Sequence, residues 1–336
     1  MNDSSEFCSY VPPDFLHERF WLVSVAGTTT AVLSIILNII LLIVLLKRRK
    51  YRYSYLLYSL LLAFFDILIA VSYVPLMSLS HLADFLESPF LLRSWFNYML
   101  PMITISHIAM TSSSFLMLAA SFERYCMVAK LDRIKWLTTH RANIATVAFI
   151  FGFFTKITLA FEFNINHNLE CKESMLEYNL ELSVLAQNPT YNLWWRLWFR
   201  NIVTVLFPFF LLSFLNIQIV TYLQQKKQYE QCYLNEFQRK MRIRAATRTL
   251  VLVVFTYLLS NVLNVIITIW EYIDMESLTT RFRTFYIFSV DTVSLMTVLA
   301  GALRLPIYMS CQPELRAEVL RSFSSLFTQK LRMKVN

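Results

Sequence analysis

Seven separate apolar runs, each long enough to cross the hydrocarbon of a bilayer as a helix, leave this chain few choices of fold. They are Val23–Leu46, Tyr53–Ser80, Tyr98–Phe122, Ala142–Phe161, Asn201–Tyr222, Leu250–Trp270 and Thr284–Ser310. A crossing takes about 20 residues of helix, and a helix satisfies its own backbone groups where no water can. The first, third, fifth and sixth runs contain no charged residue. The expected fold is therefore all-α, a seven-transmembrane helix bundle. Residues 1–20 form a tail with four acids and no apolar h-region, unlike a cleavable signal peptide. The bundle is expected over 21–311 and a cytoplasmic tail over 312–336. In that tail Leu315, Val319, Leu320, Phe323 and Leu326 suit a short amphipathic helix lying on the membrane. With only three glycines in the chain, glycine-rich phosphate loops and dinucleotide turns are excluded.

Loop charge sets the orientation. Of the 31 basic residues, 22 fall on the side that holds "KRRKYR", "LDRIK", "QRKMRIR" and the C-terminus, and 14 of the 22 acids fall on the other. Basic loops stay in the cytosol, so the N-terminus is expected outside, with the protein in the plasma membrane. Nucleic acid is not an expected partner, because the basic loops are accounted for by topology and anionic lipid. Cys8 and Cys171 map outside, where a disulfide is permitted. The sequon Asn2-Asp3-Ser4 maps there too, making Asn2 a candidate glycosylation site.

Charges inside the spans carry most of the functional information, since each costs about 2.5–3.5 kcal/mol on insertion scales. Asp66 lies about 20 Å into its helix at 1.5 Å per residue, too deep to snorkel, and must face the interior. Lys156, in the outer half of the fourth run, has a stem long enough to carry its amine to the headgroups, and snorkelling is the expectation. Asp291 sits near the outer end of the seventh run and Arg304 nearer its cytosolic end. Stepping back from Arg124 by helical periodicity reaches Met117, Ser113, Met110 and Ser106. This small or flexible stripe marks an inward face ending at Glu123-Arg124. That pair is either an interfacial anchor or a switch.

Five motifs in order decide between them. Asn38 in the first span, Asp66 in "LAFFD", Glu123-Arg124-Tyr125 closing the third, Pro208 in "VLFPFFLL" and Pro306 in "LRLPIY" together resemble the rhodopsin-like G-protein-coupled receptors. The resemblance spans about residues 20–325. It implies that Glu123 restrains Arg124 at rest, and that Arg124 meets a heterotrimeric G protein on activation. It also implies that Asp66 and Ser113 belong to a mid-membrane sodium pocket. Asn38, Pro208, Asn261, Arg304 and Pro306 complete the expected switch set. Two departures stand out: Leu305 and Met309 replace the usual asparagine and tyrosine around Pro306, and Asn261 stands where a tryptophan is usual. With an oxygen ligand missing, Arg304 is expected to supply the positive charge beside Asp66. No cofactor or metal is expected apart from that sodium. Met99 occupies the usual third-span cysteine position, so Cys171 is expected to bond to Cys8.

The family also narrows the ligand. Ser106 replaces the amine-binding aspartate and Leu299 the retinal-bearing lysine, which argues against monoamine receptors and opsins. The remaining pattern resembles invertebrate, especially nematode, receptors for FMRFamide-like neuropeptides, or orphan receptors. A basic peptide suits the acidic outer loops, with Asp291 and Glu271 as guanidinium anchors and Ser106, Met110 and Trp198 as further contacts. A chemosensory receptor for small molecules is the alternative and a transporter a distant one. No catalytic residues are expected: His-Glu-x-x-His, Gly-x-Ser-x-Gly and paired membrane carboxylates are all missing from the sequence.

Overall fold

A computed structural model describes residues 8, 10–47, 54, 56–229 and 237–322, with 226–229 and 237–243 described by backbone alone. Among the described residues, seven helices are long and apolar enough to span a membrane. They are α1 (Leu16–Lys47), α2 (Leu56–Phe85), α3 (Pro89–Val128), α4 (Arg141–Phe161), α5 (Tyr191–Gln225), α6 (Arg244–Ile273) and α7 (Arg283–Cys311). Helix α8 follows over 313–322. Its Leu315 and Val319 are buried in the main core while Leu320 is exposed, an amphipathic pattern. Phe323 and Leu326 lie outside the described residues, as does Asn2.

Sequence neighbours pack on one another from α1 to α4 and from α5 to α7, α3 also packs on α5, and α7 closes on α1. α3 therefore sits centrally, with its serines Ser112, Ser113 and Ser114 all buried. The bundle's flanks are apolar as well as its core. Ile36, Ile43, Phe154, Phe214, Ile217, Phe255 and Leu259 are exposed on its flanks, where hydrocarbon is the solvent. Polar side chains satisfy themselves inside: Thr104 donates to the Leu100 carbonyl at 2.9 Å, Thr155 to Phe151 at 2.9 Å and Ser213 to Phe209 at 2.8 Å.

Two local irregularities follow from single residues. Pro208 has no backbone N–H and its ring crowds the preceding turn, and the segment Ile202–Leu206 just before it widens into a π-helix. Gly152 lets α4 approach α3 closely: a Cβ there would lie 2.3 Å from Ser112 Oγ and 3.0 Å from the Ser112 backbone nitrogen. Small residues at such contacts are how membrane helices pack.

The structure differs from the sequence expectation in three places. Helix α1 begins at Leu16 and α3 at Pro89, earlier than residue 21 and Tyr98, because polar ends beyond the apolar run continue the helix above the bilayer. The second outer loop, given no secondary structure above, carries strands beside short helical turns. It forms a hairpin of β1 (Phe163–His167) and β2 (Tyr178–Leu182), antiparallel with Phe163 opposite Leu182 and His167 opposite Tyr178. Lys156 does not snorkel; it is buried at 7% exposure, because its helix face turns into the bundle rather than toward lipid.

Candidate functional site

At the cytosolic end the expected restraint is rearranged. Glu123 is buried, and the guanidinium of Arg141, from the first turn of α4, grips both its oxygens: Nε to Oε2 at 2.8 Å and Nη2 to Oε1 at 2.6 Å. Such bidentate charge-assisted pairs are among the stronger hydrogen bonds. Arg124 is also buried, and its Nη1 donates to Met127 Sδ at 3.5 Å. The expectation that Glu123 restrains Arg124 is thus corrected, because α4 brings Arg141 onto both oxygens of Glu123. Tyr125 meets the Tyr222 ring edge-on at 6.0 Å. Glu123 and Arg124 line a crevice together with Tyr58, Thr249, Tyr308 and Gln312. Tyr308 donates to Ser59 Oγ, and Gln312 Nε2 donates to Thr249 Oγ1 at 3.2 Å, so α2, α6, α7 and the start of α8 meet at its floor.

Mid-membrane, Arg304 Nη1 stands 2.8 Å from Asp66 Oδ2, with both side chains buried. The two atoms make an ion pair without hydrogen-bond alignment. Ser113 Oγ is buried with no hydrogen-bond partner among the described residues. A sodium ion at Asp66 does not fit this arrangement, because Arg304 already holds the cationic position. Asn38 Nδ2 donates to the Ser34 and Gly301 carbonyls at 2.9 and 3.1 Å, tying α1 to α7. Gly301 leaves no slack, since an added Cβ would stand 3.2 Å from Ser34 Oγ and 3.3 Å from Asp66 Cγ. Ser114 and Tyr257 share a 2.9 Å hydrogen bond between α3 and α6. Asn261 bonds within its own helix, to the Tyr257 carbonyl at 2.9 Å and Ser260 Oγ at 3.2 Å, and α6 runs unbroken past it. Pro306 lies in the last turns of α7.

At the outer end Asp291 is not an open anchor. Arg19, from the start of α1, grips it bidentately (Nε to Oδ2 2.7 Å, Nη2 to Oδ1 3.2 Å), and His81 Nε2 of α2 lies 3.9 Å from the same carboxylate. Glu271 accepts from Tyr286 at 3.2 Å. The pairing of Asp291 and Glu271 as guanidinium anchors is therefore corrected: one carboxylate already holds a guanidinium of this chain. Ser106 and Met110 are half-buried on α3. Trp198 is exposed, resting against the Tyr272 ring at 5.6 Å. Cys8 and Cys171 are joined by a disulfide. Below it Glu177 is gripped by Arg93 at 2.7 and 2.9 Å and by His167 at 3.0 Å. The Arg93 hydrogen bonds chiefly, with His167 adding and burial opposing, hold the Glu177 carboxyl down at about 2. Fully buried Glu162 binds Arg200 through both oxygens, with Tyr191 at 2.9 Å and Arg196 at 3.7 Å. Burial pushes its carboxyl up, but Arg200 outweighs that and keeps it below the ordinary range.

A family model described as "7 transmembrane receptor (rhodopsin family)" matches residues 37–298, most of the chain and all seven spans in whole or part. The chain is a rhodopsin-family receptor. No curated protein matches it. As a member of that family it is a multi-pass plasma-membrane receptor, not an enzyme, that answers an extracellular ligand and couples to a G protein.

The receptor's fold gathers the sequence-marked residues into three levels. Glu123, Arg124 and Tyr125 lie at the cytosolic crevice. Asn38, Asp66, Ser113, Arg304 and the Asn261 helix lie mid-membrane, and Asp291, Glu271 and Trp198 lie at the outer rim. Sequence reasoning missed the partners: Arg141, Arg19, His81, Arg200, Tyr257 and Tyr308. Each comes from an element far along the chain or from a loop-edge position that reads as solvated. The one signal in the sequence was a surplus of cations near span ends, which topology explains equally well.

Proposed function

We propose that this receptor sits with its N-terminus outside, takes a basic peptide at its outer face, and passes the binding to a heterotrimeric G protein through Arg124. The observation that carries the switch is the crevice itself. Arg124 is buried on its wall, while Glu123, the residue best placed to neutralise it, is held by Arg141. A change in the helices lining the crevice is what brings Arg124 to a partner in the cytosol, a two-state element of the kind a ligand can bias. Asp66–Arg304 and Asn38–Gly301 link that end to the middle of α1, α2 and α7, and Arg19–Asp291 links the same helices at the rim.

The peptide reading is supported by Glu170, Glu173, Glu181, Asp274 and Glu276, all exposed on the outer loops, which raise the local concentration of cations. An arginine of the ligand reaches Asp291 only by displacing Arg19. Cells carrying a G-protein activation reporter, screened with arginine-containing peptides, test this. Wild type responds, Arg124→Ala binds peptide but is silent, and Arg19→Ala responds at lower peptide concentration. Signalling retained in Arg124→Ala refutes the switch. Activation by neutral small molecules but by no peptide refutes the ligand class.

A further inference from the structure

One largely buried cation makes no ion pair among the described residues. Lys156 of α4 is 7% exposed and makes no hydrogen bond or ion pair among the described residues. An ammonium removed from water without a partner is strongly disfavoured. Its surroundings make this worse. His107 of α3 and Arg200 of α5 lie within electrostatic reach of it and of each other. Among the described residues the carboxylate acting on Lys156 is Glu162, and that group is already committed. It accepts from Arg200 at both oxygens, from Tyr191 at 2.9 Å and from Thr158 at 3.3 Å, with Arg196 at 3.7 Å. Lys156, Arg200 and Arg196 thus face one carboxylate, and the surplus is positive charge enclosed between α3, α4 and α5.

From this arrangement we infer a subsite for an anionic group of the ligand, a carboxylate or similarly compact oxyanion, bound by Lys156 with His107 and Arg200. The inference rests on the reading that the outer half of the bundle takes the ligand, and it deepens it. The loop acids attract the ligand's positive end, and the buried cluster receives its negative one. For a peptide, the negative end is a free C-terminal carboxylate rather than an amide. An anion there turns an unpaired buried charge into a charge-assisted contact, so its binding and the packing of the three helices reinforce one another.

The test uses the full-length receptor in nanodiscs, its thermal unfolding followed with benzoate, 3-phenylpropionate and dipeptides ending in phenylalanine, each beside its amide. Carboxylates are expected to raise Tm saturably and amides to leave it unchanged. Lys156→Met should weaken the carboxylate response about 10- to 100-fold while raising the Tm of the ligand-free receptor, since the unpaired charge is gone. No stabilisation by any acid, equal stabilisation by amides, or an unchanged response in Lys156→Met overturns the subsite. Repeating the series in phosphatidylglycerol and phosphatidylcholine nanodiscs separates the sources: Lys156-dependent stabilisation by the anionic lipid alone assigns the site to a headgroup and overturns the ligand proposal. Arg124→Ala should keep the carboxylate response. If carboxylates bind through Lys156 but never activate a G protein, the signalling reading fails and the subsite stands.

Discussion

Removing one member of the Asp66–Arg304 pair should destabilise the receptor more than removing both. At 2.8 Å, two unit charges in an effective dielectric of about 20 attract by about 6 kcal/mol. Taking each charge out of water costs several kcal/mol, so the intact pair comes close to break-even. A single deletion is different, because it keeps the desolvation of the survivor and loses the attraction. Asp66→Asn or Arg304→Gln should therefore each cost roughly 3–5 kcal/mol, a fall in Tm on the order of 10 °C for a chain of this size. The double variant should recover to within about 1 kcal/mol of wild type. Thermal unfolding of the four purified proteins gives the coupling energy directly. A coupling below about 0.5 kcal/mol would refute the claim that these two charges neutralise each other. The same pair predicts that ligand affinity in wild type does not respond to sodium.

Further expectations concern the other charged pairs and the α3–α4 contact. Arg141→Gln should cost about 1.5–3 kcal/mol of stability and lower basal G-protein activation, since a released Glu123 becomes free to hold Arg124; higher basal activity would contradict this. Gly152→Ala forces a Cβ to within 2.3 Å of Ser112 Oγ and should cost about 1–3 kcal/mol through overpacking, read as a loss of Tm or of surface expression. For Glu177, a depressed carboxyl means that its contribution to the outer hairpin is complete above the ordinary carboxylate range and is lost as pH falls through about 2. Pepsin at pH 4 should leave the wild-type hairpin intact and cut it in Glu177→Gln, and equal cutting of both would show that the pair does not hold the loop.

How much of this was legible in the residues differs by level. The spans were, because hydrocarbon thickness and backbone hydrogen bonding leave helices of about 20 residues as the solution for a chain of this pattern. The inward face of α3 was legible from periodicity, and Met117 and Ser113 of that stripe are buried. Asp66 had to turn inward from depth alone. Lys156 was misjudged because a long side chain near a span end has two routes, and periodicity of α4 alone does not say which face meets α3.

The sequence by itself determined that this chain is a seven-span bundle, which side is basic, and that Asp66, Arg124 and Asp291 sit where a charge needs a reason. Only the tertiary structure decided what each charge touches. Glu123 took Arg141 across 18 residues, Asp291 took Arg19 across 272, and Lys156 took no ion-pair partner among the described residues. The physical reason is that helical phase fixes a direction for each side chain, whereas a partner depends on the rotation, tilt and choice of neighbouring helices. Those follow from packing small residues such as Gly152 and Gly301 against their opposites, a property of pairs of helices rather than of any one stretch of sequence.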